Sequence, residues 1–456
     1  MKLRIRDVWG FMKIKILFAG LLMLALYAAA HAQTPDKAKL ERFFDLLAEK
    51  NKAMGSLVVA RDGKVLYSRA IGYSRIGETE KKPVSAATRF RVGSITKMFT
   101  AALVLQLVEE RKLKLSDTLD RFFPQIPNAG KITIEHVLAH RGGIHDVTED
   151  RDFQRTWRLK SITKDEMLAY IAKAAPDFEP DAKYAYSNSG YFLLGMIVEK
   201  LTGKTYQEAL RKRIVGRIGL KDTYAATGNI DAGKNESFSY RYVRDWEQQT
   251  EIHSSILFGS GAIVSTPNDL VKFIQALFDG KIISKESLNR MKTIRDGYGL
   301  GIDTFKYNGK TFYGHTGGID NFGAWLAFLP EEKLALAYTS NAKVYPVAKI
   351  VSGVFDIYYN KSFQIPAFDA LEVSPEILDK YVGVYSTPGA AAKFTVTRQG
   401  ATLYIQMTGQ AAIPLEATAQ DKFGIESAGI VFEFDEANNR MIQKRGGRER
   451  VFTKEK

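Results

Sequence analysis

Cysteine is absent from all 456 residues of the chain. Disulfide bonds are therefore excluded, and so is a lipid attached through cysteine. Basic residues outnumber acidic ones by 65 to 51, but no block of lysine and arginine is interleaved with aromatic residues. The sequence therefore gives no indication of a nucleic-acid-binding site. Internal repeats and low-complexity tracts are also missing.

The apolar run near the N-terminus, residues 16–30, is shorter than the about 20 residues that a membrane span needs. Five basic residues precede it, and the small-residue sequence Ala30-His31-Ala32 ends it. This pattern predicts a signal peptide over residues 1–32, cleaved after Ala32, and a periplasmic or secreted protein without a membrane span. An uncleaved membrane anchor is the alternative. Translation could start at Met1 or at Met12.

The predicted mature chain is moderately basic. Residues 1–32 carry five basic residues and one acidic residue, so their removal lowers the formal charge from +14 to +10. Such a charge could steer anionic cell-wall material towards the protein. A solvated basic surface is the simpler interpretation.

The mature chain is longer than the roughly 250–300 residues that one hydrophobic core supports. Its composition changes between residues 365 and 374. After this point, short alternating runs separated by glycine and polar turns predict antiparallel strands at 381–385, 394–397, 402–407 and 430–434. We therefore expect two domains, residues 33–365 and residues 374–456.

The larger domain has strand patterns at both of its ends. Alternating residues on each side of Asp62-Gly63 predict a hairpin over residues 56–69, and a second hairpin is predicted over residues 324–339. Helical patterns at 35–51 and 345–358 flank these strands, and residues 95–278 are mostly helix and loop. The pattern predicts an α+β domain in which helices flank an antiparallel sheet and a helical lobe is inserted, followed by a small antiparallel β domain.

The tetrapeptide Ser94-Ile95-Thr96-Lys97 lies between a short strand pattern and the apolar segment 98–107. This context places a hydroxyl at a helix N-terminus and an amine one turn later on the same face. The helix dipole and desolvation both disfavour the ammonium form of Lys97, so Lys97 can take the proton of Ser94. The same tetrapeptide recurs at residues 161–164, where it is flanked by polar residues. There Thr163 and Glu166 form a capping-box pattern. Ser161 is therefore interpreted as a helix-start residue.

Two further motifs follow Ser94 in order. Tyr186-Ser187-Asn188 precedes an apolar helix pattern, and His315-Thr316-Gly317-Gly318 precedes the second hairpin. A phenol near an ammonium can act as a phenolate base. An amide can orient a substrate, and N–H groups of a glycine-rich strand can hold an oxyanion. Each motif is weak alone, since residues 358–360 also match the second and His140 begins a copy of the third.

The ordered triple resembles the penicillin-recognising serine hydrolases, specifically the class C β-lactamase-related branch. That branch includes D-alanyl-D-alanine carboxypeptidases, D-aminopeptidases and esterases. Sequence similarity to this family covers most of residues 40–360, including residues 134–143 and 259–267. The resemblance implies a β-lactamase/transpeptidase-like fold. For the C-terminal segment, residues 381–385 suggest a small β extension, which is lipocalin-like in some relatives.

The resemblance also implies roles for individual residues. Ser94 would be the acylated nucleophile, Lys97 and Tyr186 the proton-transfer partners, and Asn188 the substrate-orienting group. The backbone N–H groups of Ser94 and Gly318 would form the oxyanion hole, and His315, Thr316 and Gly317 would contact substrate. His315 stands where S-x-x-K enzymes with a K-T-G motif have lysine. Because histidine is largely neutral near pH 7, efficient β-lactam hydrolysis is not expected.

The sequence therefore predicts a secreted serine hydrolase that acts through an acyl-enzyme, without metal or cofactor, on a D-amino-acid peptide. A carboxylesterase and a weak β-lactamase of the same fold are alternatives, and so is a non-catalytic penicillin- or muropeptide-binding protein. A metallohydrolase is the rival class, because His136 and His140 could share a helix face, with His145 and Asp146 nearby. The expected partners are small peptides, esters or cell-wall-derived molecules. The oligomeric state and the role of the C-terminal domain stay open.

Overall fold

The computed structural model describes residues 34–369, 371–390 and 392–455. The predicted signal peptide, residues 1–32, lies outside these ranges. No helix within them is long and apolar enough to cross a membrane.

A six-stranded antiparallel sheet is built from both ends of the large N-terminal part of the chain, as predicted. Both expected hairpins are present in it, and the first turns at Asp62 and Gly63, which have positive φ angles of 48° and 78°. These angles suit the two central residues of a tight hairpin turn. In spatial order, the strands are Asp303–Tyr307, Lys310–Ile319, Phe322–Leu329, Leu334–Ala342, Met54–Arg61 and Lys64–Ile71.

Helices cover both faces of this sheet. Lys37–Glu49 and Val347–Tyr358 pack on one face through an apolar cluster that includes Phe44 and Tyr338. Pro267–Phe278 packs on the other face and belongs to the larger core of the helical lobe. The lobe contains the helices Thr96–Glu109, Ile134–Leu138, Arg151–Trp157, Lys164–Lys173, Asn188–Thr202, Tyr206–Leu210, Gly216–Ile218, Ser254–Gly261 and Lys285–Met291.

Three small sheets brace the junction between sheet and lobe. One joins Phe90–Arg91 to Ile263–Ser265 and Tyr224–Ala225, and so fixes the backbone just before Ser94. The other two pair Tyr73–Ile76 with Lys81–Pro83, and Tyr240–Tyr242 with Trp246–Gln248.

The C-terminal strands form a nine-stranded antiparallel sheet, here called the barrel. Its two outermost strands, Ile413–Pro414 and Glu416–Ala417, are separated by one residue of the chain, so the sheet curls until it nearly closes. Its strands follow one another in an up-and-down order. Between the outermost two they are, in spatial order, Thr402–Met407, Phe394–Gln399, Gly383–Ser386, Arg448–Lys454, Arg440–Arg445, Ile430–Asp435 and Lys422–Ile425.

The barrel interior is filled by apolar side chains, among them Val396, Phe423, Phe432 and Phe452. The prediction of a strand over 381–385 was wrong at its start. Tyr381 ends the helix Pro375–Tyr381, and the strand begins at Gly383. The proposed division into residues 33–365 and 374–456 stays a prediction.

Candidate active site

Ser94 lies where the sheet meets the helical lobe. The chain leaves the strand Phe90–Arg91, makes a single 3-10 turn over Gly93–Ile95, and enters the helix Thr96–Glu109. Every side chain of this helix from Thr96 to Leu107 is buried. A helix that is apolar on all sides belongs in a core, and it holds Lys97 rigidly, with Nζ 3.1 Å from Ser94 Oγ.

Lys97 is completely buried. Its Nζ donates to Asn188 Oδ1 at 2.8 Å and to the Ser260 carbonyl at 2.9 Å. Burial lowers the pKa of Lys97 to about 7, against the opposing influence of the Asp146 carboxylate. A neutral amine has two N–H donors and one lone pair. Since Asn188 and Ser260 occupy the two donors, the lone pair is left for the Ser94 hydroxyl.

Tyr186 lies in the loop before the helix Asn188–Thr202, and its hydroxyl donates to Ser94 Oγ at 2.7 Å. Burial raises the pKa of Tyr186. The phenolate form expected from the sequence is therefore disfavoured, because desolvation penalises the anion. Tyr186 is a protonated phenol here, suited to donate rather than to remove a proton.

Asn188 is oriented by a residue that the sequence analysis did not select as a site residue. Asp146 Oδ2 accepts from both the backbone N–H and the side-chain Nδ2 of Asn188, each at 2.9 Å. These bonds turn Asn188 Oδ1 towards Lys97. Asp146 Oδ1 accepts in turn from the backbone N–H and hydroxyl of Thr148.

His140 is the second residue that the sequence analysis missed. It lies beyond the end of the helix Ile134–Leu138 in a left-handed conformation, and its ring centroid is 4.2 Å from that of Tyr186. Its Nδ1 accepts the backbone N–H of Ser187 at 3.0 Å. In the sequence, His140 is only a second match to the third motif and one member of the metal alternative.

The metal alternative required His136 and His140 to share one face of a helix, and the structure does not show this arrangement. Because His140 lies outside the helix that contains His136, the two rings do not share a helix face. His145 instead hydrogen-bonds to Asp150 and Asp177. Across residues 34–369, 371–390 and 392–455, no three histidine or carboxylate side chains are grouped to hold a metal ion.

The third predicted motif lies on the strand Lys310–Ile319. His315 is buried, with Nε2 2.9 Å from the Tyr298 hydroxyl. Burial and the neighbouring Lys97 lower the pKa of His315 to about 3, so the imidazole is neutral. Thr316 is half-buried and pairs with Trp325 on the next strand.

Gly317 and Gly318 allow this strand to approach Ser94 closely. A Cβ on Gly317 would lie 1.9 Å from the Val92 carbonyl oxygen and 3.3 Å from Ser94 N. Gly318 N lies 2.8 Å from the position that a Cβ on Gly93 would take. The backbone N–H groups of Ser94 and Gly318 are therefore neighbours, the arrangement that an oxyanion hole requires.

A cleft of about 220 Å³ opens beside Ser94. Its polar lining includes Asn188, an exposed Glu149, and the ion pair of Arg158 with Asp320. The structure thus brings Ser94, Lys97, Tyr186, Asn188, His315, Gly317 and Gly318 to one place, whereas Ser161 is an exposed residue before the helix Lys164–Lys173. The catalytic roles of these residues stay predictions.

The Beta-lactamase family model matches residues 41–351, about two thirds of the chain. The chain belongs to the β-lactamase family. The resemblance stated from the sequence is thereby confirmed, and this β-lactamase-family member is a serine hydrolase.

Individual relatives extend this assignment. Penicillin-binding protein 4* of Bacillus subtilis is 27% identical over 446 residues, covering 90% of this chain and 97% of the relative. The D-amino acid amidase of Ochrobactrum anthropi SV3, solved with D-phenylalanine, has a TM-score of 0.62 at 27% identity and covers 71% of this chain and 99% of its own. The octameric penicillin-binding protein homologue of Pyrococcus abyssi has a TM-score of 0.63 at 24% identity, covering 92% and 100%. The last supports the fold alone, and the predicted β-lactamase/transpeptidase-like fold is confirmed.

Proposed function

We propose that the protein hydrolyses the amide bond of a small D-amino-acid amide or D-residue-containing peptide through an acyl-enzyme on Ser94. The observation that carries the proposal is the position of Lys97. Its buried amine has a pKa of about 7 and lies 3.1 Å from Ser94 Oγ, with both N–H donors already engaged. A base poised near neutral pH suits general-base catalysis.

Acylation follows from this geometry. Neutral Lys97 accepts the Ser94 proton while Oγ attacks the substrate carbonyl carbon, and the N–H groups of Ser94 and Gly318 donate to the resulting oxyanion. Tyr186 gives its hydroxyl proton to the leaving nitrogen as the amide bond breaks. The proton taken up by Lys97 then restores the phenol.

Deacylation uses the same groups. A water molecule loses a proton to Lys97, which is neutral again, and the oxygen of that water attacks the acyl carbon. When the tetrahedral intermediate collapses, the proton returns to Ser94 Oγ and the carboxylic acid product leaves. Asn188 holds Lys97 in place throughout, because Asp146 fixes the direction of its amide.

The cleft favours a substrate with a free amine. Glu149 is exposed in the lining, and its carboxylate has no hydrogen-bond or ion-pair partner within the described residues. A carboxylate close to Asn188 can pair with the ammonium of an amino-acid amide or of a peptide N-terminus. This favours the aminopeptidase or amidase form of the predicted activity over the carboxypeptidase form. The relationship to the D-amino acid amidase of O. anthropi supports the D stereochemistry.

We also propose that the protein is exported and acts on peptides released from the cell wall. Export is inferred from the signal-peptide pattern of residues 1–32, and a cell-wall peptide is the kind of substrate that an exported relative of penicillin-binding protein 4* would meet. Expression of the full chain followed by N-terminal sequencing of the periplasmic or secreted product tests it. A product that begins at Gln33 supports export with cleavage, whereas an uncleaved cytoplasmic protein contradicts it.

The activity is tested with the 4-nitroanilides of D-alanine and L-alanine. We expect turnover of the D isomer to exceed that of the L isomer, and mass spectrometry of quenched protein to locate an acyl group on Ser94. Glu149→Gln should raise KM for the free amine and leave the N-acetylated substrate unchanged. Equal turnover of both isomers, or an acyl group on another residue, would contradict the proposal.

A further inference from the structure

Lys343 lies against a pair of facing glycines next to the proposed oxyanion hole. Gly318 and Gly323 are register partners on the strands Lys310–Ile319 and Phe322–Leu329. A Cβ on Gly323 would lie 3.3 Å and 3.4 Å from Cγ and Cδ of Lys343. A Cβ on Gly318 would lie 3.7 Å from Lys343 Nζ. The lysine stem therefore lies across Gly323, and its ammonium ends beside Gly318.

The Lys343 ammonium is partly buried but unpaired. Within the described part of the chain it has no hydrogen-bond or ion-pair partner, and burial lowers the pKa of Lys343 while Asp320 opposes this effect. A partly desolvated cation without a partner is unfavourable unless an anion joins it.

Asp320 is not that anion, because it is already engaged. Its Oδ1 is paired with Arg158 at 2.5 Å, and its Oδ2 accepts the backbone N–H of Ile252 at 2.8 Å. Only 3% of its side chain is exposed. Both of its carboxylate oxygens are therefore engaged away from the Lys343 ammonium, on which Asp320 acts only through its charge.

The space around Lys343 can admit a ligand. Lys343 and Asn321 line a cavity of about 440 Å³, and the barrel residues Leu403, Ile413 and Phe423 belong to the same lining. The barrel therefore forms part of the wall of this cavity, into which Lys343 is accessible.

We propose that Lys343 binds a carboxylate of the substrate beside the oxyanion hole. Lys343 directly follows the strand Leu334–Ala342. Its ammonium supplies the positive charge that the neutral His315 does not provide. The inference rests on the acyl transfer at Ser94 that is proposed above, but it is independent of the D stereochemistry. The carboxylate belongs either to the acyl half of the substrate or to the leaving group.

Three aryl esters separate these sources. Phenyl acetate has no carboxylate, the phenyl monoester of succinate has one in the acyl half, and the acetate ester of 3-hydroxybenzoate has one in the leaving group. Lys343→Met keeps the stem and removes the charge. We expect kcat/KM to fall about 10- to 100-fold for one of the two carboxylate esters, as for a lost charge-assisted hydrogen bond, and to stay unchanged for phenyl acetate. Lys343→Arg should recover most of the loss.

Two controls distinguish the loss of carboxylate binding from a folding defect and from a change in net charge. Turnover of phenyl acetate reports a folded Ser94 site, and Lys380→Met removes the same charge from an exposed pair with Glu436. We expect Lys380→Met to leave turnover of all three esters unchanged. An equal loss on all three esters in both Lys343→Met and Lys343→Gln, or no loss on any, would overturn the inference. Hydrolysis of phenyl acetate without hydrolysis of D-alanine amides would instead contradict the proposed function alone.

Discussion

His140 holds Tyr186 from two sides. The ring centroids of the two residues are 4.2 Å apart, and His140 Nδ1 accepts the N–H of Ser187. The His140 carbonyl also accepts the N–H of Ala185 at 2.9 Å. Three consecutive residues of the Tyr186 loop are therefore fixed by one histidine, which makes His140 a positioning residue for the proton donor.

Replacement of His140 by Phe should lower kcat with little change in KM. The larger apolar ring keeps contact with Tyr186 but leaves the buried N–H of Ser187 without an acceptor. Displacement of a catalytic group by about 1 Å can cost as much as about 100-fold in rate, and we expect a loss between about 10- and 100-fold. His136→Phe is the matched control, since His136 only caps the preceding helix. An unchanged kcat in His140→Phe would contradict the positioning role.

The duplicated tetrapeptide offers an internal control for the nucleophile. Ser94→Ala should abolish turnover of both amide and ester substrates, because no hydroxyl remains beside Lys97. Ser161→Ala should leave kcat and KM unchanged, since Ser161 is exposed. Rates with 4-nitrophenyl acetate and intact-protein mass spectra after substrate addition would measure both effects. Acylation of the Ser94→Ala variant would place the nucleophile elsewhere.

Local signals were sufficient for much of the fold. The turn at Asp62-Gly63 was predictable because few residues other than glycine and Asn or Asp adopt positive φ there. The helix Lys164–Lys173 was predictable from the capping box of Thr163 and Glu166, which the structure contains. The helix Pro375–Tyr381 carries a proline at its start, a usable signal that the alternating pattern of residues 381–385 obscured.

The candidate site was only partly predictable. Motifs led to Ser94, Lys97, Tyr186 and His315, because chemistry restricts which residue types can serve there. Asp146 and His140 act through contacts with residues more than 40 positions away in the chain. Such contacts depend on tertiary structure and leave no local pattern. The protonation state of Tyr186 likewise depends on burial, which no motif reports.

The pH dependence of kcat/KM should follow Lys97. Acylation needs the neutral amine, so activity should rise with pH through about 7, the pKa of Lys97. Because the Asp146 carboxylate raises the pKa of Lys97, Asp146→Asn should lower that pKa and shift the rising limb to lower pH. Asp152→Asn removes an equal charge at an exposed site and should leave the limb in place. The position of the limb can be fitted even if Asp146→Asn lowers the maximal rate, and a shift towards higher pH would contradict this assignment.

Gly317→Ala should lower kcat by more than its effect on protein stability can explain. The added Cβ would lie 1.9 Å from the Val92 carbonyl oxygen, so the strand must move away from Ser94 and the oxyanion hole must widen. Gly314→Ala creates an equally close contact, 1.9 Å from the Leu326 carbonyl oxygen, within the same strand. Both substitutions should destabilise the protein by about 1–3 kcal/mol, as overpacking does.

Only Gly317→Ala should lower kcat of the folded protein, by about 100-fold or more as for loss of an oxyanion donor. Thermal melts and rates at a temperature where both variants are folded would measure the two effects, and equal rates in the two variants would mean that Gly317 matters for folding alone.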